Sequence, residues 1–350
     1  MIRRMMRGIQ FFALLLTLLG CQGPERVPAP PAVDLSWPDA PESPVVRWVG
    51  AIDGPESAGI RPGFWARVGQ ALFGRERLSL LRPYGVGPVP GYGLVVVDTG
   101  AARVLLFDRE RQRVTTIAGN GEQALVSPIA AVAGFRGVLA ISDSARGRIY
   151  AWDEKDGFRL LLANRFDRPT GLAWDAVRSW LWVSETGRHR VVALDADGHE
   201  MLTIGTRGNG PGQFNFPTDL FIDAGGRLWV TDSLNARIQV FAPDGTLVKT
   251  VGVRGDQPGL LDKPKGLAVD ARGRLYVCDA LKDAVQVFDE QGRYLFHVGL
   301  QGSGPGQFWL PSGLSIDATG RLLVADSYNR RVQVFQIIDL PELAQAGGRR

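Results

Sequence analysis

Two short stretches invite a phosphate-binding reading. Gly208-Asn-Gly-Pro-Gly-Gln213 and Gly302-Ser-Gly-Pro-Gly-Gln307 are glycine-rich and nearly identical. A phosphate loop needs a following helix whose free N–H groups point at the anion. Here the following text, FNFPTDLFID and FWLPSGLSID, is strand-like, and each proline removes one donor. Both segments are therefore expected to be turns.

A second set of chemical groups recurs along the chain. Acids at Asp98, Asp143, Glu185, Asp232, Asp279 and Asp326 are followed five residues later by Arg103, Arg148, Arg190, Arg237, Ala284 and Arg331. Catalysis usually needs one constellation, whereas a repeated fold needs the same brace in every unit. The pairs are expected to be structural ion pairs, partly exposed, across the turn between a second and a third strand, each contributing about 0–1 kcal/mol. Ala284 interrupts the series, through neutral drift or as a partner contact.

These groups lie on a repeat. Pro83, Pro128, Pro169, Pro217, Pro264 and Pro311 are separated by 45, 41, 48, 47 and 47 residues, a spacing suited to propeller blades. Between them run short alternating segments such as RLWV, RIQVF and TLVKTVG, rich in β-branched and aromatic residues, with turn signals such as Asp244-Gly245. Each unit reads as a four-stranded antiparallel meander, so the fold class is an all-β, six-bladed β-propeller over residues 45–338. The last unit holds only three strands. Val45-Val46-Arg47-Trp48-Val49-Gly50 matches the outer-strand text Leu247-Val248-Lys249-Thr250-Val251-Gly252, and is expected to close the last blade and remove open edges. Residues 63–74, GFWARVGQALFG, break the β pattern; Phe64, Trp65, Val68 and Leu72 share one helical face, so a short helical insertion is expected there, packed on the propeller or docking a membrane or partner.

The remaining segments concern location. Arg3, Arg4 and Arg7 precede an apolar run too short to span a bilayer, which suits a signal peptide over residues 1–20. Its removal lowers the formal net charge from +4 (40 basic against 36 acidic) to +1 (37 against 36), which disfavours nucleic acid as a partner. Leu18-Leu19-Gly20-Cys21 resembles the lipobox of bacterial lipoproteins, which implies lipid on Cys21, and Gln22 implies sorting to an outer membrane where one exists. Residues 21–44, with seven prolines after Cys21, read as a stalk, and residues 339–350 as a polar tail. Cys278, in RLYVCDA, is expected to be a buried apolar residue, and no intrachain disulfide is expected.

Unit five reads Pro264-Lys-Gly-Leu-Ala-Val-Asp270, Gly273-Arg-Leu-Tyr-Val-Cys-Asp279 and Val285-Gln-Val-Phe-Asp289, with similar text in units four and six. By these motifs residues 80–336 resemble the NHL-repeat family of six-bladed propellers, and more loosely bacterial NHL lipoproteins. The resemblance weakens in unit one, where Pro88 interrupts the first strand, and in unit two, where Gly134 replaces the turn aspartate. By analogy, the residues after each repeat proline lie near a channel mouth: Tyr84, Ile129, Thr170, Thr218, Lys265 and Ser312, with Asp219 adding a carboxylate where glycine is usual.

Some propellers of related shape are calcium-dependent lactonases or zinc-dependent amidating lyases. One carboxylate among hydroxyls is a poor calcium cage, and His189, His199 and His297 all fall on turns or an outer strand, away from a channel. No catalytic residue, metal or cofactor is assigned. The expectation is a membrane-anchored, extracytoplasmic module that binds or scaffolds envelope proteins, with a channel-centred metal-dependent hydrolase or lyase as the alternative.

Overall fold

The computed structural model describes residues 34–39, 42–61, 78–163 and 165–338. The signal segment, Cys21, most of the proline-rich stalk, the expected helix at 63–74 and the tail lie outside them.

Among the described residues, six antiparallel sheets follow one another in sequence order. The first blade runs through Pro83–Val89, Gly93–Asp98, Arg103–Asp108 and Arg113–Ile117, from the inner strand to the outer. Inner strands Pro128–Ala133, Pro169–Asp175, Pro217–Ile222 and Pro264–Val269 begin the next four blades, each at its repeat proline. The sixth departs from this pattern, because its inner strand is only Leu314–Ile316. Pro88 does not interrupt the first inner strand; it pairs with Leu94 within it. An innermost strand has one edge without a ladder partner, where proline is tolerated.

The last blade is closed from the N-terminal side. Val46–Ile52 pairs antiparallel with Arg331–Ile337, with a bulge between Trp48 and Gly50. A further two-residue strand, Ser36–Trp37, pairs with Arg47 and Val46. The end of the expected stalk is thus part of the sheet, and Trp37 meets Phe335 edge-on at 5.7 Å between centroids. An aromatic side chain recovers more by covering this edge than by staying in water.

The core lies between blades. Val95, Val97, Val104 and Leu106 of blade one meet Leu139 and Ile141 of blade two, and equivalent clusters fill each later interface. The ring-closing interface has the same chemistry: Val96, Leu105 and Phe107 pack on Leu323, Val332 and Val334. A four-stranded meander alone would leave such residues wet, so each blade depends on both neighbours. Cys278 is one of these buried groups.

Candidate functional site: the channel and its blade-linking face

The inner strands converge on a central channel of about 670 Å³. Their approach depends on small residues two positions after the proline. A Cβ on Gly171 would come within 2.6 Å of Thr218 O, and one on Gly266 within 2.6 Å of Ser312 O, so larger side chains would force neighbouring strands apart. Blade four has Asp219 at this position, and its carboxylate accepts the Leu267 N–H of blade five at 3.1 Å.

The channel-mouth residues divide into two groups. Tyr84, Ile129, Thr218, Asp219 and Lys265 line the channel. Thr170 and Ser312 instead turn into blade interfaces. Thr170 Oγ1 donates to Thr218 O at 2.8 Å, and fully buried Ser312 is within 2.7 Å of Ser327 Oγ and 3.0 Å of Tyr84 O. Short hydroxyls beside a neighbouring carbonyl bind it in preference to facing an open channel.

The lining groups face the channel but have protein packed around them, and their acidities reflect this. Burial raises the Asp219 carboxyl to about 7 against the pull of the Leu267 and Leu220 N–H groups. Burial, with the nearby Asp219 charge, pushes the Tyr84 phenol up to about 12. Burial lowers the Lys265 ammonium, which lies 5.3 Å from the Tyr84 ring centroid. Burial likewise raises the Cys278 thiol well above its usual value, so it is not a ready nucleophile.

The acids of the repeated pairs are buried rather than partly exposed: Asp98, Asp143, Glu185, Asp232, Asp279 and Asp326 are all 0% accessible. Each lies directly across the ladder from its partner, as Asp232 from Arg237 and Asp143 from Arg148. Asp98, Glu185, Asp232 and Asp326 pair with their arginines, whereas Arg148 Nη1 donates to Ala163 O; the carboxylates also accept N–H groups from the segment that links one blade to the next. Asp98 accepts from Arg82 at 2.8 Å, Asp143 from Val126 at 2.7 Å, Glu185 from Asp167 at 2.9 Å and Asp232 from Asn215 at 2.6 Å. Asp326 accepts from Trp309 and binds Arg331 Nε at 2.8 Å. Charge-assisted bonds of this kind fix a loop as well as a turn.

Ala284 is buried, so it is not a contact for a partner. Its blade uses another cation. Arg237 Nη2 donates to Gly210 O and Gln213 O, and Arg331 Nη2 to Gly304 O and Gln307 O. In blade five Lys282 Nζ reaches the equivalent loop through Asp256 O at 2.5 Å and Gln257 O at 3.0 Å.

The glycine-rich segments are closed by their own hydrogen bonds. Gln213 Oε1 accepts Gly210 N–H at 3.0 Å and Gln239 Oε1 accepts Gly212 N–H at 2.9 Å; Gln307 and Gln333 repeat this at Gly304 and Gly306. Phe214 and Phe308 bury fully beneath the two loops. The N–H groups that a phosphate would need are already used.

The donor set does not fit a catalytic metal. Asp219 is the carboxylate at the channel mouth, with the Lys265 cation in the same lining; the other lining carboxylate, Asp317, belongs to a hairpin turn and binds Arg321 Nε at 2.6 Å. Calcium takes about six to eight oxygens, and zinc sites favour histidine or cysteine. None of the described lining residues is a histidine. His189 caps a turn with Nδ1 accepting Phe216 N–H, His199 lies beside Asp195 in a hairpin turn, and His297 contacts Tyr294 on an outer strand.

The face that carries the blade-linking loops has an apolar patch over blades five and six. Trp309 and Tyr328 lie 5.5 Å apart by centroid and are 50% and 46% exposed. Leu281, 58% exposed, projects from the neighbouring turn, whose Asp283 accepts Leu310 N–H at 2.6 Å.

Comparison with known proteins agrees with this architecture. Residues 93–261 match the family model described as SMP-30/Gluconolactonase/LRE-like region, and residues 260–340 match one described as 6-bladed beta-propeller. No curated protein matches the sequence. Among solved structures, virginiamycin B lyase from Staphylococcus aureus is similar with 13% identity and a TM-score of 0.54, covering 74% of this chain and 96% of its own. A gluconolactonase from Xanthomonas campestris shares 19% identity with a TM-score of 0.56, covering 74% and 87%. An auxiliary nutrient binding protein from Bacteroides thetaiotaomicron shares 14% identity with a TM-score of 0.58, covering 73% and 69%. At these identities the likeness is one of fold: the chain is a six-bladed β-propeller with a region similar to the gluconolactonase-like family.

Proposed function

We propose that the protein is a non-catalytic, protein-binding propeller of NHL type, exported and held at a membrane by lipid on Cys21. The observation that carries this reading is the Trp309–Tyr328–Leu281 patch. Large aromatic side chains half in water are costly on an isolated surface, and rigid aromatic anchors dominate protein interfaces. The repeated acids, arginines and glutamines are occupied in holding loops, which leaves no nucleophile–base pair among the described channel residues. The partner is an envelope protein.

A channel-centred hydrolase or lyase is the second reading, favoured by the match over residues 93–261. The channel's donor set opposes its metal-dependent form.

Crosslinking of the lipidated protein in its native envelope, compared with Trp309→Ala and Tyr328→Ala variants, tests the proposal. A partner recovered with the wild type and lost with both folded variants supports it. A partner retained at full yield by both variants sinks the patch, and a metal-dependent turnover blocked by channel substitutions would establish the second reading.

A further inference from the structure

Beyond protein binding, we infer that the channel mouth is a binding site for a small organic carboxylate with an apolar body, held by Lys265, Thr218 and Tyr84. Two independent features converge there. Thr218 lines the channel, and its Oγ1 is buried with no hydrogen-bond partner. Buried hydroxyls are normally satisfied, so an orphan beside a cavity marks a place where a ligand atom can complete the geometry. The Lys265 ammonium, 5.3 Å from the Tyr84 ring centroid, makes no hydrogen bond or ion pair among the described residues. Asp219 does not neutralise it, since no ion pair joins the two among those residues.

The charge around this point favours an anion. Lys263 and Arg82, one residue before the repeat prolines of their blades, act electrostatically on Lys265 and add positive potential around it. Burial raises the Asp219 carboxyl to about 7, so below that pH it is mostly uncharged and does not repel an anion. Below the mouth the channel is lined by Val86, Leu220, Leu267 and Leu314, which suits an apolar body but no second charge. Its volume of about 670 Å³ falls within the range of small-molecule sites. An ammonium with hydroxyl donors above an apolar shaft matches a monocarboxylate with a hydrocarbon or aryl chain.

The test uses the full lipidated chain in nanodiscs, with empty nanodiscs as reference, and calorimetric titration of 4-phenylbutyrate, 4-phenylbutanol and 4-phenylbutylamine. The acid is expected to bind roughly tenfold or more tightly than the alcohol, as a hydrogen bond to a charged group implies, and the amine not to bind. Lys265→Met is expected to abolish the preference for the acid. Thr218→Val, which keeps shape and removes only the orphan hydroxyl, is expected to weaken the acid several-fold and serves if the lysine variant fails to fold. Equal binding of acid and alcohol, preference for the amine, no binding of any probe, or unchanged affinity in both variants would overturn the inference.

Discussion

Ser327 Oγ donates to Pro83 O at 2.7 Å, a bond between residues 244 positions apart that ties the last blade to the first. The same bond joins consecutive blades elsewhere: Thr99 to Pro128, Thr186 to Pro217 and Ser233 to Pro264. In each of these four blades the hydroxyl follows the buried acid, so one dipeptide serves two purposes. Its acid holds the incoming loop, and its hydroxyl reaches across to the next inner strand. Removing one hydroxyl leaves a buried carbonyl without this donor. Ser327→Ala is therefore expected to lower stability by about 1–2 kcal/mol in denaturant unfolding. An unchanged midpoint would show that the closing bond contributes nothing.

Ring closure also depends on the N-terminal strand. Val46 is fully buried against the blade five–six core, and Trp48 Nε1 donates to Gln333 Oε1 at 3.0 Å. Deleting residues 45–50 is expected to lower the melting temperature sharply, and Val46→Ala to cost about 2 kcal/mol. A melting temperature unaffected by the deletion would mean the blade closes without it.

The Asp219 carboxyl makes a pH-dependent contribution with a defined sign. Its folded value of about 7 lies above the usual 3.8, so between these values the folded chain holds the proton more tightly than the unfolded one. Stability from this group is present below about pH 4 and is lost as pH rises through 7. Asp219→Asn keeps a carbonyl acceptor for Leu267 N–H and removes the charge. It is expected to raise stability on the order of 1–3 kcal/mol at pH 8 and by much less at pH 4. A gain of equal size at both pH values would contradict the buried-carboxyl account.

Blade five offers a compensation test. Lys282 replaces the missing arginine at the loop carbonyls of Asp256 and Gln257. Lys282→Met is expected to cost up to about 1 kcal/mol, and Ala284→Arg in that background to recover part of it by pairing with Asp279. Equal losses in the single and double variants would show that position 284 cannot host the brace.

Metal removal is the complementary test of the channel. Because one unpaired carboxylate faces the mouth, dialysis against EDTA is expected to shift the melting temperature by less than about 1 °C. A fall of several degrees, restored by calcium, would contradict this reading of the donor set.

Much of the architecture was legible because strand, turn and brace recur in register. The six prolines mark the blades, and the Val45–Gly50 text matches the strand that closes the ring. The partner of each recurring side chain is not legible in the spacing. Spacing places Asp232 opposite Arg237, but it does not reveal that Asp232 also holds Asn215 N–H, seventeen residues back. The hydroxyl ladder had a visible signal, the acid followed by Thr or Ser, broken only at Asp279-Ala280. The channel was harder. Thr170 and Ser312 occupy the same register as Thr218 and Lys265, and only the neighbouring carbonyls decide which side chains turn inward. The exposure of Trp309 and Tyr328 was not readable either, because the adjoining Phe308 in the same strand-like text is fully buried.

The most direct test of the central claim places a photocrosslinking amino acid at position 309 or, as a control, at position 177, in the native envelope. Val177 is 87% exposed and lies at the opposite ends of the strands, in the hairpin after Asp175. The account predicts one reproducible protein adduct from position 309 and none from position 177. Equal labelling from both positions, or none from position 309 in a folded and correctly lipidated protein, would contradict it.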